Sequence, residues 1–487
     1  MTVEPGFASD AYACGINPDE FSEVCVRQRH LPGLTSMHAA AIASHRFGYS
    51  ETSLRAVQAD PRAWVLEQFK RPSPFDSTGL IDSARAMVLT REVLKGALDA
   101  QRQDSAAARR QPVDDLGAMT PSRKELRQTN LRGLGRRWQH IIATPTPVAE
   151  RWVQFWANHF TVAATKGTMI ALVGPHGVEA IRPHALGTFK DLARAATVHP
   201  AMLLYLDNAQ SVGPDSRAGK RREKGLNENL ARELLELHTL GVNGGYTQND
   251  VTETARLLTG WTVRPQTDGK AEFVAALHQP GLKTILGKTY REGPEALDQL
   301  LLDLTNHPAC AKFIATKLVR HFVTDEPTAA LVDAVAARFR SSGGDLMAVA
   351  QALFTHDAAW SPDNAPKFKR PEEFVLSAHR MLKQPIASLE QTVAAVQAMG
   401  QAVGRAPSPQ GWPDRAEDWL SPDALLKRVQ WGERFGDLYR ENADARALAQ
   451  LAWGVDLSQS TLQTIQRAES SAQALALALA SPEFQRR

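Results

Sequence analysis

Asn227-Glu228-Asn229-Leu230-Ala231-Arg232-Glu233-Leu234-Leu235-Glu236-Leu237-His238 reads as one amphipathic helix. At about 100° per residue, Glu228, Arg232 and Glu236 succeed one another on one face while Leu230, Leu234 and Leu237 gather opposite. Asn227 and Asn229 bracket the first carboxylate, offering a helix cap and side-chain amides. Such a ridge suits a solvated ladder of ion pairs or an ordered polar site. His238 falls toward the apolar side, which predicts an imidazole at least partly buried.

The same helical period extends through most of the sequence, predicting an all-α, multi-helix bundle-like protein. Strand-like alternation is confined to Phe273 to Leu277 and Lys283 to Leu286, enough for at most one small β-hairpin. Helix starts are expected at Asp60-Pro61, Ser73-Pro74, Thr120-Pro121, His307-Pro308, Ser421-Pro422 and Ser481-Pro482, where a polar or capping residue precedes proline. Gly241 to Asp250 reads as a glycine helix end followed by a new helix capped by Thr247 with Asp250.

With 487 residues, 43% of them hydrophobic, the chain can build a substantial core. A polar stretch at 106–125 reads as a linker after an N-terminal helical region, 1–105. A helical core, 126–390, and a C-terminal helical region, 391–487, follow. The latter holds Gly404 to Pro422, where prolines flank Trp412 and Trp419, a composition that fits a lid or a packed connector. Asp207 to Gly225, with its basic run from Lys220 to Lys224, is too polar for burial.

Lysine and arginine number 56 against 53 acidic residues, a net charge of +3 that argues against a nucleic-acid partner. No apolar run is long enough to span a bilayer, so membrane insertion is not expected. Met1 to Asp10 lacks a basic start leading into an apolar segment, which makes the cytoplasm the expected location. Cys14, Cys25 and Cys310 lack zinc or redox spacing.

Three helices direct an imidazole inward. His159 continues the stripe Trp152, Phe155 and Trp156, His321 continues Ile314, Lys317 and Leu318, and His238 ends the opening segment. Imidazole and carboxylate are ordinary ligands for zinc, iron or manganese, and a helix bundle can bring them together. The candidate divalent-metal ligands are His159, Glu233 and Glu236. No Glu-x-x-His pair supports the assignment, and Glu236 points away from His238 on a continuous helix. Candidate catalytic residues are Glu228, Arg232, Glu233 and Glu236. Asn227, Asn229, His278 and Lys283 are candidate substrate contacts, the last two flanking a turn from which both can reach one anion.

Several separate motifs occur in order: Phe155-Trp156-Ala157-Asn158-His159-Phe160, His199-Pro200-Ala201-Met202, Asn227 to Gly241, Leu258-Thr259-Gly260-Trp261, Phe368-Lys369-Arg370-Pro371 and Gly411-Trp412-Pro413-Asp414. Together they resemble the bacterial family catalogued as domain of unknown function 1800, from about Ser36 onward. The resemblance implies an all-helical fold more strongly than an activity. It also implies phenylalanine at position 238 in many relatives and histidine in place of Ala157, which shifts weight from His238 to the carboxylates, Arg232 and His159. It further implies a neighbouring protein of the family called domain of unknown function 1501, similar to sulfatases and phosphatases and exported folded, so that co-export to the periplasm is an alternative location.

Two functions follow as expectations. One is a metal-dependent hydrolase or oxidoreductase that uses the carboxylate/histidine site on an anionic substrate. The other is a non-catalytic maturation or export partner of the neighbouring phosphatase-like protein. Buried polar groups on several helices cost stability unless something uses them, which favours the enzyme.

Overall fold

The computed structural model describes residues 38–103, 121–221, 225–263, 269–442 and 444–487. Helices dominate, and two hydrophobic cores organise them. The first draws on Ala40 to Leu126 and Val148 to Trp360, with Ala406 added from the C-terminal part. Its centre is the aromatic stripe of α2 (Pro147–His159), whose Trp152, Phe155, Trp156 and His159 are all buried, as their spacing predicts. Trp152 packs at 5.9 Å from Trp156 and 5.8 Å from Phe322, near the spacing that aromatic pairs prefer. Removing each such ring from water contributes about 1.5–3 kcal/mol.

The second core joins α1 (Pro121–Ala143), through Trp138, Ile141 and Ile142, to residues from Phe374 to Phe484. Here α6 (Pro422–Tyr439) and α7 (Ser471–Ala480) pack closely. A Cβ at Gly436 would lie 2.4 Å from the Ala472 carbonyl oxygen, so glycine is what lets the two backbones approach. At the N-terminus of α5 (Pro371–Leu382), buried Glu373 receives Arg151 at 2.5 Å, Arg370 at 3.2 Å and Arg487 at 3.3 Å. Arg151 also donates to the Gly48 carbonyl, so one carboxylate ties the second core's helix to the first.

The expected helix starts that fall within the described residues are found with one exception: Ser73-Pro74 lies in irregular chain, and α-helix resumes only at Ser83; Thr120 of the Thr120-Pro121 start lies outside the described residues. Ser73 donates its N–H to Thr146 Oγ1 and so anchors this chain to the start of α2 instead of capping a helix. Thr247 and Asp250 form the reciprocal capping box expected of them at the start of α4 (Gln248–Leu258). The single hairpin is corrected. Ala271–Phe273 (β2) pairs with Trp261–Val263 (β1), while Lys283–Ile285 (β3) pairs with Lys288–Tyr290 (β4). Leu286 and Gly287 both have positive φ, the geometry of a tight two-residue turn, so β3 closes on its own neighbour. Of the expected 106–125 linker, 106–120 lies outside the described residues, and the remainder opens α1. Part of the basic run, 222–224, likewise lies outside them, as do Cys14 and Cys25. No helix among the described residues is long and apolar enough to cross a membrane.

Candidate functional site

The opening segment does not continue as a regular α-helix. Asn229–Glu233 (α3) is α-helical, but Leu234–Thr239 winds as a π-helix, with Leu240 N–H donating to the Leu235 carbonyl five residues back. A π turn moves side chains off the α-helical wheel, and such turns are frequent at functional sites. Glu228 precedes the helix and accepts from Thr252 Oγ1 at 2.7 Å, Gln248 Nε2 at 2.8 Å and Arg232 Nη2 at 3.3 Å. The Thr252 hydrogen bond foremost holds its carboxyl below the ordinary range. Asn227 Oδ1 accepts from the Asn229 N–H at 2.9 Å, and Asn229 is exposed.

Glu233 and Glu236 are partly buried beside one another. Burial, then the charge of Glu236, raises the Glu233 pKa. Tyr246 donates to Glu236 at 3.1 Å, and burial together with that carboxylate pushes the phenol up to about 12. His159 and His238 are fully enclosed, their ring centroids 6.1 Å apart. His159 Nε2 donates to the His238 carbonyl at 3.0 Å, while neither ring nitrogen of His238 has a protein partner. Burial brings the His238 imidazole down to about 3. Among the described residues no three His, Cys, Asp or Glu side chains are grouped to hold a metal, so His159, Glu233 and Glu236 do not form the expected ligand set. The physical reason is that His159 turns its Nε2 to a backbone carbonyl inside the aromatic core, while Glu236 is engaged by Tyr246.

His278 and Lys283 do meet, at 3.0 Å. The buried ammonium also donates to the carbonyls of Gln279 and Gly281, and His278 Nδ1 donates to the Thr259 carbonyl at 2.7 Å. Their hydrogen bonds thus hold the loop together.

Elsewhere a cavity of about 260 Å³ brings together segments that lie far apart in sequence. Arg137 comes from α1, Gln154, Ala157 and Asn158 from α2, Val173 to Val178 from a turn leading into a second π-helical stretch (His176–Ile181), Arg370 and Glu372 from the start of α5, and Gly404 to Ala406 with Trp412 from the Pro/Trp loop. Asn158 fastens that loop. Its Nδ2 donates to the Trp412 carbonyl at 2.9 Å, and its Oδ1 accepts the Trp412 N–H at 2.8 Å. Glu372 accepts from both Arg137 Nη2 and Trp138 Nε1 at 2.5 Å. Arg182, also in the wall, forms a two-pronged pair with Glu150 at 2.7 and 2.8 Å. Arg370 donates to Glu373, but its Nε is buried without a partner. Arg405 is exposed and makes no side-chain hydrogen bond or ion pair among the described residues.

A family model described as protein of unknown function (DUF1800) matches residues 42–486, nearly the whole chain. The chain belongs to the DUF1800 family. No curated protein and no solved structure matches it. In this DUF1800 member, three of the motif segments read from the sequence, Phe155 to Phe160, Phe368 to Pro371 and Gly411 to Asp414, supply walls of the one cavity. A second cavity, of about 380 Å³, is lined by His38, His45, Arg46 and Trp453 among others, and Arg46 is already turned to backbone carbonyls of Ala359, Ser361 and Asn364. The sequence reading passed over Arg137, His176, Glu372 and Arg405 as site residues. The Arg370-Pro371 motif next to Glu372 was the signal that pointed there.

Proposed function

We propose that this DUF1800 protein binds a small organic monoanion in the motif-lined cavity. The observation that carries the reading is how its guanidiniums are paired. Arg137, Arg182, Arg370 and Arg405 line it against Glu372, while Glu150 and Glu373 pair Arg182 and Arg370 from behind. Among the described residues, Arg405 is the one of these four that meets no carboxylate, so it is the group free to meet an anion. Apolar walls from Phe75, Leu134, Ile170 and Trp412 suit an uncharged body. The expected anionic substrate is thereby moved from the His278/Lys283 turn, where the lysine's donors are spent, to the arginines.

The test is calorimetric titration of the full chain with 3-phenylpropionate and with its neutral amide. The reading expects the carboxylate to bind more tightly and to weaken with added salt and in Arg405→Gln. Equal binding of acid and amide, or none of the acid, contradicts it.

A second reading keeps Glu233 and Glu236 as an acid–base pair. It is favoured by the π turn that sets two carboxylates side by side, one with a raised pKa. Under it, Glu236→Gln lowers the Glu233 pKa, which NMR titration of the side-chain carboxyl reads; an unchanged Glu233 titration removes the coupling.

A further inference from the structure

Gln401 lies in the cavity wall just past the helix Leu389–Ala398 and is 2% exposed. Its Oε1 accepts the Glu372 N–H at 2.9 Å, which fixes the amide's orientation, because the Nε2 end has no lone pair to offer that donor. Nε2 donates to nothing among the described residues and, unlike the sealed Arg370 Nε, keeps accessible surface. Gln401 is otherwise enclosed, so the cavity it lines is where that surface opens. A donor left unmatched there costs free energy, which a ligand carrying an acceptor would recover. Arg405 stands beside it. Ala402 to Arg405 form a β-turn, closed by the Arg405 N–H on the Ala402 carbonyl at 2.9 Å, with Gly404 at φ +72° in the third position. The Ala164 N–H pins the turn by donating to the Gly404 carbonyl at 2.8 Å. Such a turn brings its end residues within about 7 Å, so the side chains of Gln401 and Arg405 that flank it can address one small ligand.

We infer that the ligand class is a 2-oxo acid with an apolar body, its carboxylate on Arg405 and its oxo oxygen accepting from Gln401 Nε2. This rests on the anion reading of the same cavity and narrows it. A guanidinium fork matches both oxygens of a carboxylate, which leaves the Gln401 amide for a further acceptor on the neighbouring carbon. Phe75, Leu134, Ile170 and Trp412 provide the apolar contact, and a volume of about 260 Å³ limits the ligand to a small molecule. A site that hydrogen-bonds one polar group of its ligand discriminates against the analogue lacking it, because the protein group is then left unpaired.

The probes are benzoylformate and phenylacetate, which differ by an oxo group in place of two hydrogens, titrated calorimetrically into the full chain at neutral pH. The expected result is that benzoylformate binds about three- to tenfold more tightly than phenylacetate. Gln401→Met removes the donor and makes the two acids equal. Gln401→Glu keeps the bond from the Glu372 N–H, which guards against a folding defect in the first variant, and puts an acceptor where the donor stood; there too the preference is lost. Equal affinities in the unaltered protein, or a preference that survives either variant, overturn the oxo assignment while the anion site stands. Failure of both acids to bind overturns the anion site and this inference with it.

Discussion

Asn158 grips Trp412 by both of its backbone groups, donating to the carbonyl at 2.9 Å and accepting the N–H at 2.8 Å. The two residues are 254 apart in sequence, and the amide is the clamp between α2 and the Pro/Trp loop that borders the cavity. Asn158→Leu removes both bonds and leaves the Trp412 groups without those partners. It is expected to lower stability by about 2 kcal/mol, at about 1 kcal/mol per hydrogen bond, as read by urea denaturation. Unchanged stability would mean that the loop is held by other contacts.

Gly411 tests the same clamp from the other side. Its φ is +86°, and a Cβ there would lie 2.4 Å from the Asn158 carbonyl oxygen. Gly411→Ala is therefore expected to destabilise by more than the roughly 1 kcal/mol of a left-handed backbone alone, and to raise the mobility of Trp412, measured by tryptophan fluorescence anisotropy. A neutral substitution would place the backbone at Gly411 elsewhere.

Glu373 is the carboxylate on which Arg151, Arg370 and Arg487 converge. Burial alone would raise its pKa, but the three guanidiniums outweigh burial and hold it well below the usual carboxylate range. Its stabilisation is thus fully present above an unfolded pKa near 4.3 and is lost as pH falls toward the depressed folded value. Glu373→Gln leaves buried cations uncompensated and is expected to cost about 3–5 kcal/mol at neutral pH. A loss of under about 1 kcal/mol, measured by urea denaturation, would show that the cluster is not a buried ionic tie.

The buried histidines set a separate pH response. Burial brings the imidazoles of His45 and His238 down to about 3 and those of His321 and His379 to about 4. In an unfolded chain each takes up a proton near 6.5. Between those values the unfolded state binds more protons, so stability is full above about pH 6.5 and falls as pH drops through the window. The melting temperature is expected to begin falling above the carboxylate range. His238→Phe, which places a ring of similar shape beside Phe160, should flatten part of that slope without loss at neutral pH. An identical pH profile for the variant would mean that His238 already titrates normally in the fold.

Much of the fold was legible because its signals are local. The stripe from Trp152 to His159, the capping box of Thr247 and Asp250, and the proline-marked helix starts each rest on residues within two turns of one another. Inward-facing His159, His238 and His321 followed from the same periodicity and are all buried. The limits were equally physical. A π turn at Leu234–Thr239 has no helical-wheel signature, and so the Glu228, Arg232 and Glu236 ridge could not be carried through it. The partner of β2 lies on its N-terminal side, at β1, which alternation within β2 cannot reveal. The cavity was hidden for a deeper reason: Arg137, His176, Glu372 and Arg405 meet only through tertiary packing, and each alone is an ordinary polar residue.

The most direct test of the cavity's role is the anomalous diffraction of a crystal of the full chain soaked in 3-(4-bromophenyl)propionate. The account predicts a bromine peak among Leu134, Ile170 and Trp412, with the carboxylate directed to the arginine-bearing wall. An occupied ligand lying instead at the Glu233/Glu236 turn, or no bromine peak in the cavity at a saturating concentration, would contradict it.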